Sequence, residues 1–141
     1  GLLESEDADR PRVRNLFASY LHASVAPEGG PTPESYGRLE PFFDAELRAI
    51  AAHVLIPVGD RATEHVLQHY TARPPASAAA SHAAEIRGSG FLVIPVSDPE
   101  TWTDADETAF RTTLTDLLDS DYRQISDLGR FLPGGETYLV R

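Results

Sequence analysis

The amino-acid sequence contains no cysteine, no lysine and no methionine. Without cysteine, the chain has no thiolate nucleophile and no disulfide, and it lacks the ligands for an iron–sulfur cluster or a thiolate zinc site. Without lysine, it forms no Schiff base with a carbonyl substrate and lacks the phosphate-binding lysine of a P-loop. Any chemistry therefore depends on His, Asp, Glu, Ser, Thr, Tyr and Arg, and we expect no cofactor.

Positive charge is also scarce. The sequence has 22 acidic residues against 12 arginines, which gives a formal net charge of −10. Polyanions are repelled by such a charge, so we expect neither nucleic acid nor an anionic membrane as a partner. A basic protein surface, a cation or a small molecule fits the charge better. The sequence leaves the oligomeric state open.

Long hydrophobic runs are missing as well. No stretch approaches the roughly 18 apolar residues of a membrane-spanning helix, and the segment from Gly1 to Glu4 lacks the basic and apolar regions of a secretory signal. The sequence therefore predicts a cytoplasmic location. Arginine in place of lysine, together with abundant alanine and proline, is typical of GC-rich genomes and favours a bacterial source.

Length and composition indicate one globular domain. The chain has 141 residues, of which 41% are apolar and 24% charged, as in ordinary folded domains. Residues 1–9 are rich in acids and predict a flexible acidic arm. We expect residues 10–141 to form a single domain that contains a flexible Ala/Ser-rich connector near 74–84.

Helical periodicity dominates the first half. Apolar residues recur at spacings of three and four over residues 10–24, 41–55 and 61–73, which predicts three amphipathic helices. Pro33 suits the first turn of a short helix capped by the preceding threonine. Pro41 predicts a break, because proline disfavours helix at the residue before it.

The second half has a different pattern. The apolar run 91–96 predicts a buried strand, and Gly88 and Gly90 before it indicate a bulge or a close backbone approach. Thr103 and Asp106 have the spacing of a capping box, here with Asp in place of the usual Glu.

That capping box would begin a helix over residues 104–118. Beyond it, residues 122–131 and 137–140 favour strands on either side of the turn Pro133-Gly134-Gly135. The predicted fold class is α+β, with three N-terminal helices followed by a strand–helix–strand–strand unit. We expect a small, mainly antiparallel sheet covered by helices.

One histidine pair has the spacing of metal ligands. His65 and His69 are four residues apart, which places both imidazoles on one face of a helix, where they can ligate a transition metal. The zincin motif is absent, because its Glu would follow the first His, whereas Glu64 precedes it. A third ligand would come from His53, His82 or an acid. Surface histidines on an amphipathic helix show the same spacing far more often than metal sites do.

Acidic residues concentrate near the start of the last predicted helix. Between positions 98 and 121, eight acids stand against the single Arg111. This density either attracts a basic partner or complements the helix dipole and keeps the surface solvated. Trp102, the only tryptophan, is a binding anchor or a staple on the core. The predicted partner-binding residues are Asp98, Glu100, Trp102, Asp104, Asp106 and Glu107.

Three familiar motifs are incomplete. Gly88-Ser89-Gly90 precedes a strand, whereas a hydrolase nucleophile elbow follows one. Asp104-x-Asp106 lacks the glycine and the final glutamate of a calcium loop. Helices followed by a Gly-rich hairpin resemble a winged helix in outline, but the helix between the strands is misplaced for that fold.

These observations favour a non-catalytic accessory, regulatory or inhibitor-type binding module whose acidic surface engages a basic protein partner. The alternative is a small-molecule-binding protein or an enzyme, with a pocket between the helices and the sheet that is lined by His, Arg and Tyr.

Overall fold

The computed structural model describes residues 16–26 and 28–120, together with the backbone of 125–126 and 138–139. The described helices are α1 (Pro33–Ile50), α2 (Gly59–Tyr70) and α3 (Asp104–Asp119). The described strands are β1 (Val54–Leu55), β2 (Ile86–Gly88), β3 (Phe91–Val93), β4 (Ile125–Ser126) and β5 (Tyr138–Leu139). The α+β class is therefore confirmed, whereas the predicted acidic arm, residues 1–9, lies outside the described residues.

The chain divides into two compact units, one ending at Ala51 and the other beginning at Ala52. The single-domain organisation expected from chain length stays a prediction. Within the described part of the chain, no helix combines the length and the apolar character needed to cross a membrane.

Helix α1 is the one helix in the described part of the first unit. Its predicted start is confirmed: Ser35 N donates to Thr32 Oγ1 at 3.2 Å, and Thr32 N donates to Ser35 Oγ at 2.9 Å. The break predicted at Pro41 is wrong, since the helix runs through it to Ile50. A proline removes one hydrogen bond of the helical ladder but leaves those on either side. The capped first turn and the helix-forming residues beyond Pro41 therefore sustain a continuous helix.

The predicted helix over residues 10–24 is not formed in its described part. Residues 16–24 contain no helix, and the apolar residues Leu16, Phe17 and Tyr20 are 42%, 56% and 77% exposed. An amphipathic stripe stabilises a helix mainly through the surface that it packs against. Because these side chains stay exposed, the stripe gains little from helix formation.

The second unit contains a three-stranded sheet in the order β1-β3-β2. β1 runs parallel to β3 and β2 antiparallel to it, so this sheet is mixed and the mainly antiparallel prediction is wrong for it. β1 was predicted as the end of the helix over 41–55, because Val54 continues that helix's apolar spacing. Helix α2 is the crossover that a parallel strand pair requires.

The apolar run 91–96 is the buried centre of this unit, as predicted. Three of its amides, those of Leu92, Ile94 and Val96, donate to carbonyls of residues 53, 55 and 57 at 2.9, 2.9 and 3.0 Å. Pro95 faces the opposite edge of the run, along which β2 pairs only as far as Val93. The proline thus follows β3 at a position where no amide donor is needed.

Helix α3 covers this sheet. Its predicted start and length are confirmed, and Leu117 and Phe110 pack with Leu92 and Ile94 of the central run. Further along the chain, β4 and β5 pair antiparallel with Ile125 opposite Leu139. The predicted C-terminal hairpin strands therefore pair, while their turn lies outside the described residues.

The segment 74–84, predicted as a flexible connector, contributes small buried residues to the second unit. Ala78, Ser81 and Ala83 are buried. Ala83 N donates to Pro95 O at 2.8 Å, and Thr113 Oγ1 donates to Ala83 O at 2.9 Å. Small side chains allow this backbone to approach both the central run and α3 closely, so the Ala/Ser composition reflects packing.

At Gly88 the backbone passes close to another segment, which is one of the two alternatives that the sequence predicts. A Cβ at this position would lie 2.6 Å from Thr71 O and 2.8 Å from Thr71 Cβ. Thr71 is itself buried, and its hydroxyl donates to Leu67 O. The end of α2 therefore has little freedom to move away.

We expect Gly88→Ala to destabilise the protein by about 1–3 kcal/mol, because the added methyl group overlaps a buried backbone. Gly37→Ala is the matched control: nothing lies within 4 Å of a Cβ at this exposed helical site, so it should stabilise by about 0.5–1 kcal/mol. Urea unfolding measures both free energies. Equal effects of the two substitutions would contradict the close approach.

Candidate functional site

The predicted partner-binding residues lie in the loop before α3 and in its first turn. A 3₁₀ turn, Pro99–Thr101, shapes this loop. Asp98 begins the turn, since its Oδ1 accepts from Glu100 N at 3.0 Å and its carbonyl accepts from Thr101 N at 2.9 Å. The local sequence thus fixes the backbone on which the acidic side chains stand.

Asp106 is committed to the capping box of α3. Its Oδ2 accepts from Thr103 N and from Thr103 Oγ1, both at 2.8 Å, while Asp106 N donates to Thr103 Oγ1 at 3.3 Å. The hydrogen bond from the Thr103 backbone lowers the pKa of the Asp106 carboxyl most strongly, followed by that from the Thr103 hydroxyl. This carboxylate is therefore a structural group.

His82 connects the loop to α3 through both of its ring nitrogens. Ser97 N donates to His82 Nδ1 at 3.0 Å, so this nitrogen carries no proton. The proton of the neutral ring is on Nε2, which donates to the main-chain carbonyl of Asp106 at 2.9 Å. The imidazole therefore bridges the loop and the helix start.

Trp102 packs over this bridge. Its Nε1 donates to Ser97 O at 2.8 Å, its ring meets His82 edge-on at a centroid distance of 5.3 Å, and it lies 5.7 Å from the Phe110 ring. Trp102 is half-buried. These contacts are those of a staple on the core, and its remaining exposed part still lies among the acidic residues.

Four of the predicted carboxylates are exposed. We define the acidic rim as Asp98, Glu100, Asp104 and Glu107, all of which face solvent. Arg111 is the one arginine between positions 98 and 119, and it pairs with Glu107 at 3.5 Å with both side chains largely exposed. Such surface pairs contribute little, so the rim keeps its negative charge.

His82 and Ser97 were missed as members of this site. His82 lies in an Ala/Ser-rich stretch that predicts a connector, and the partners of its ring are 15 and 24 residues further along the chain. A solitary histidine among small residues was the available signal. Its role depends on tertiary packing that no local pattern reports.

The Ser97–His82 contact lacks the arrangement of a catalytic triad. Ser97 Oγ lies 3.1 Å from His82 Nδ1, but the same nitrogen already accepts the Ser97 amide. The Asp106 carboxylate is held by Thr103 and does not orient the imidazole. The contact therefore serves to hold the loop.

The predicted metal ligands His65 and His69 both lie on α2. Their ring centroids are 4.5 Å apart and their planes are tilted by 33°. His65 is half-buried and His69 exposed. Of the third ligands considered, His82 is excluded, because both of its nitrogens are occupied by Ser97 and Asp106.

Comparison with protein-family models, with curated proteins and with solved structures gave no match.

Replacing His82 with alanine should destabilise the protein by about 2 kcal/mol, because Ser97 N and the Asp106 carbonyl lose their partner in a partly buried site. Trp102 is the only tryptophan, so its fluorescence reports on the same site and should shift to the red. His69→Ala, at an exposed position, is the control and should change stability by less than about 0.5 kcal/mol. If the Trp102 fluorescence of His82→Ala is the same as that of wild type, the bridging role of His82 is wrong.

The Asp106 capping bond predicts a pH dependence. A carboxyl whose pKa is lowered by folding stabilises the folded state above its unfolded pKa, about 3.9, and this contribution is lost as pH falls through the folded value. Asp106→Asn should therefore be less stable than wild type at pH 7, and the difference should shrink below about pH 4. Urea midpoints across this range measure the effect. A stability difference between Asp106→Asn and wild type that does not change with pH contradicts the assignment.

Proposed function

We propose that this chain is a non-catalytic binding module of accessory, regulatory or inhibitor type, and that its acidic rim engages a basic surface of a partner protein. The observation that carries the proposal is the exposure of four carboxylates on a loop and helix start whose backbone is fixed by hydrogen bonds. A cytoplasmic location, predicted from the sequence, belongs to the same proposal.

Preorganisation is the first support for it. The loop is held at Ser97 by His82 and by the Trp102 indole, and it is shaped at Asp98 by the 3₁₀ turn. A partner that binds a loop already held in place loses less conformational entropy than one that must order it. The rim therefore presents its charges without a large ordering cost.

Charge is the second support. The rim lies in a chain of net charge −10, and its own arginine offers only a long, exposed ion pair. Asp116 and Asp119 extend the negative charge along the exposed side of α3. A field of one sign speeds association with a basic surface and disfavours acidic partners.

Helix capping explains only part of the acidic segment. Asp104 and Glu107 lie in the first turn of α3, where negative charge complements the helix dipole. Glu100 precedes that helix, and the only bond described for it uses its main-chain amide. Trp102 staples this loop to the core, and its remaining exposed part adds an apolar surface next to the charged rim. The small-molecule alternative stays a prediction.

The proposal is tested by immobilising the full chain and passing a lysate of the native host over it in 50 mM salt, followed by a salt gradient. We expect a basic protein to be retained and to elute as screening increases. The rim variant Asp98→Asn/Glu100→Gln/Asp104→Asn/Glu107→Gln should bind that purified protein about 30-fold more weakly, at about 0.5 kcal/mol for each charge.

A control variant separates the rim from net charge. Glu28→Gln/Glu64→Gln/Glu85→Gln/Asp119→Asn removes the same number of exposed charges elsewhere. It should retain the partner with a much smaller loss of affinity than the rim variant, since only Asp119 among these residues lies on α3. Equal weakening by both variants, or the absence of a salt-sensitive basic protein, contradicts the proposed function.

A further inference from the structure

We propose that His65 and His69 form a binding site for a divalent transition-metal ion of the zinc type, separate from the acidic rim. Both histidines lie on α2, and a ring nitrogen of one lies within 4.8 Å of a ring nitrogen of the other. The juxtaposition of two imidazoles one helical turn apart carries the proposal.

The distance suits chelation after a small side-chain adjustment. Zinc–imidazole bonds are about 2.0–2.1 Å long, which places two nitrogens on one tetrahedral ion about 3.4 Å apart. The ring centroids of His65 and His69 are already 4.5 Å apart. His69 is exposed, so its ring can rotate to close the remaining gap without disturbing the core.

The helix that carries the pair is firmly held. Thr63, Val66 and Leu67 are 0%, 4% and 1% exposed and fix the opposite side of α2 in the core of the second unit. The backbone from 65 to 69 is continuous α-helix. A rigid backbone keeps two ligands at a constant spacing, which lowers the entropic cost of chelation.

The ligand chemistry selects the class of ion. Imidazole nitrogen suits zinc, copper and nickel, whereas magnesium and calcium prefer oxygen ligands. The chain has no cysteine to compete for the same ions. Two imidazoles leave further coordination positions on the ion, which solvent or a second molecule can occupy at the exposed His69 side.

The side chains of Arg73 and His82 are both hydrogen-bonded elsewhere in the second unit. Arg73, one turn beyond His69, donates from its guanidinium to Arg87 O at 2.9 and 3.2 Å, so its charge is held by β2. His82 has both ring nitrogens engaged by Ser97 and Asp106. His53, the remaining histidine of the second unit, is not grouped with another histidine, so zinc that binds through two imidazoles there is expected at α2.

Isothermal titration of the full chain with zinc chloride tests this inference, with the melting temperature measured in parallel. We expect one zinc ion per chain, a rise in melting temperature, and reversal of both by EDTA. His69→Gln should weaken zinc binding by more than about tenfold. Because His69 is exposed, this variant should fold normally, which its circular dichroism and zinc-free melting temperature confirm; His65→Gln is the second variant.

Two controls make the result specific. His22→Gln removes a histidine from the first unit and should retain the wild-type zinc affinity. The fourfold rim variant should also retain it, so that zinc binding and the proposed partner binding can fail independently. Zinc binding that persists in His69→Gln and His65→Gln, that disappears in the rim variant, or that is displaced by equimolar magnesium would overturn the inference, as would the absence of binding.

Discussion

The His82 imidazole joins two segments that the rest of the acidic site depends on. Its Nδ1 accepts the Ser97 amide, and its Nε2 donates to the Asp106 carbonyl at the start of α3. Trp102 packs edge-on against the ring, and its indole N–H donates to Ser97 O. The loop between these points therefore keeps one conformation, and the exposed carboxylates on it have fixed positions from which to act.

The chain has two groups of candidate binding residues, the acidic rim and the histidine pair on α2. In the acidic site, Asp106 and Trp102 have structural roles. The rim carboxylates are exposed, and Asp98 among them also shapes the 3₁₀ turn. On α2, the core-facing residues hold the helix and leave an imidazole pair on another face. In both places, packed residues hold the backbone that carries more exposed polar side chains.

Local patterns predicted much of this fold. The caps at Thr32 and Thr103, the extents of α2 and α3, the buried run 91–96 and the close approach at Gly88 follow from short-range chemistry. β1 was missed because Val54 continues a helical spacing. The short apolar run Val54-Leu55-Ile56, which ends at a proline, was the contrary signal. His82 bonds to residues that lie 15 and 24 positions further along the chain, and such tertiary contacts produce no periodic pattern in the sequence. The sequence therefore predicted the acidic residues of the candidate site but not His82, which holds the loop that carries them.

The most direct test of the account is an amide NMR titration of the full chain with an arginine-rich peptide. The acidic rim predicts that shifts concentrate at residues 98–107 and at the Trp102 indole proton, and that added salt reverses them. Shifts spread evenly over other exposed acids, such as Glu28, Glu64 and Glu85, would contradict a preorganised binding surface and leave only the general attraction of a negatively charged protein.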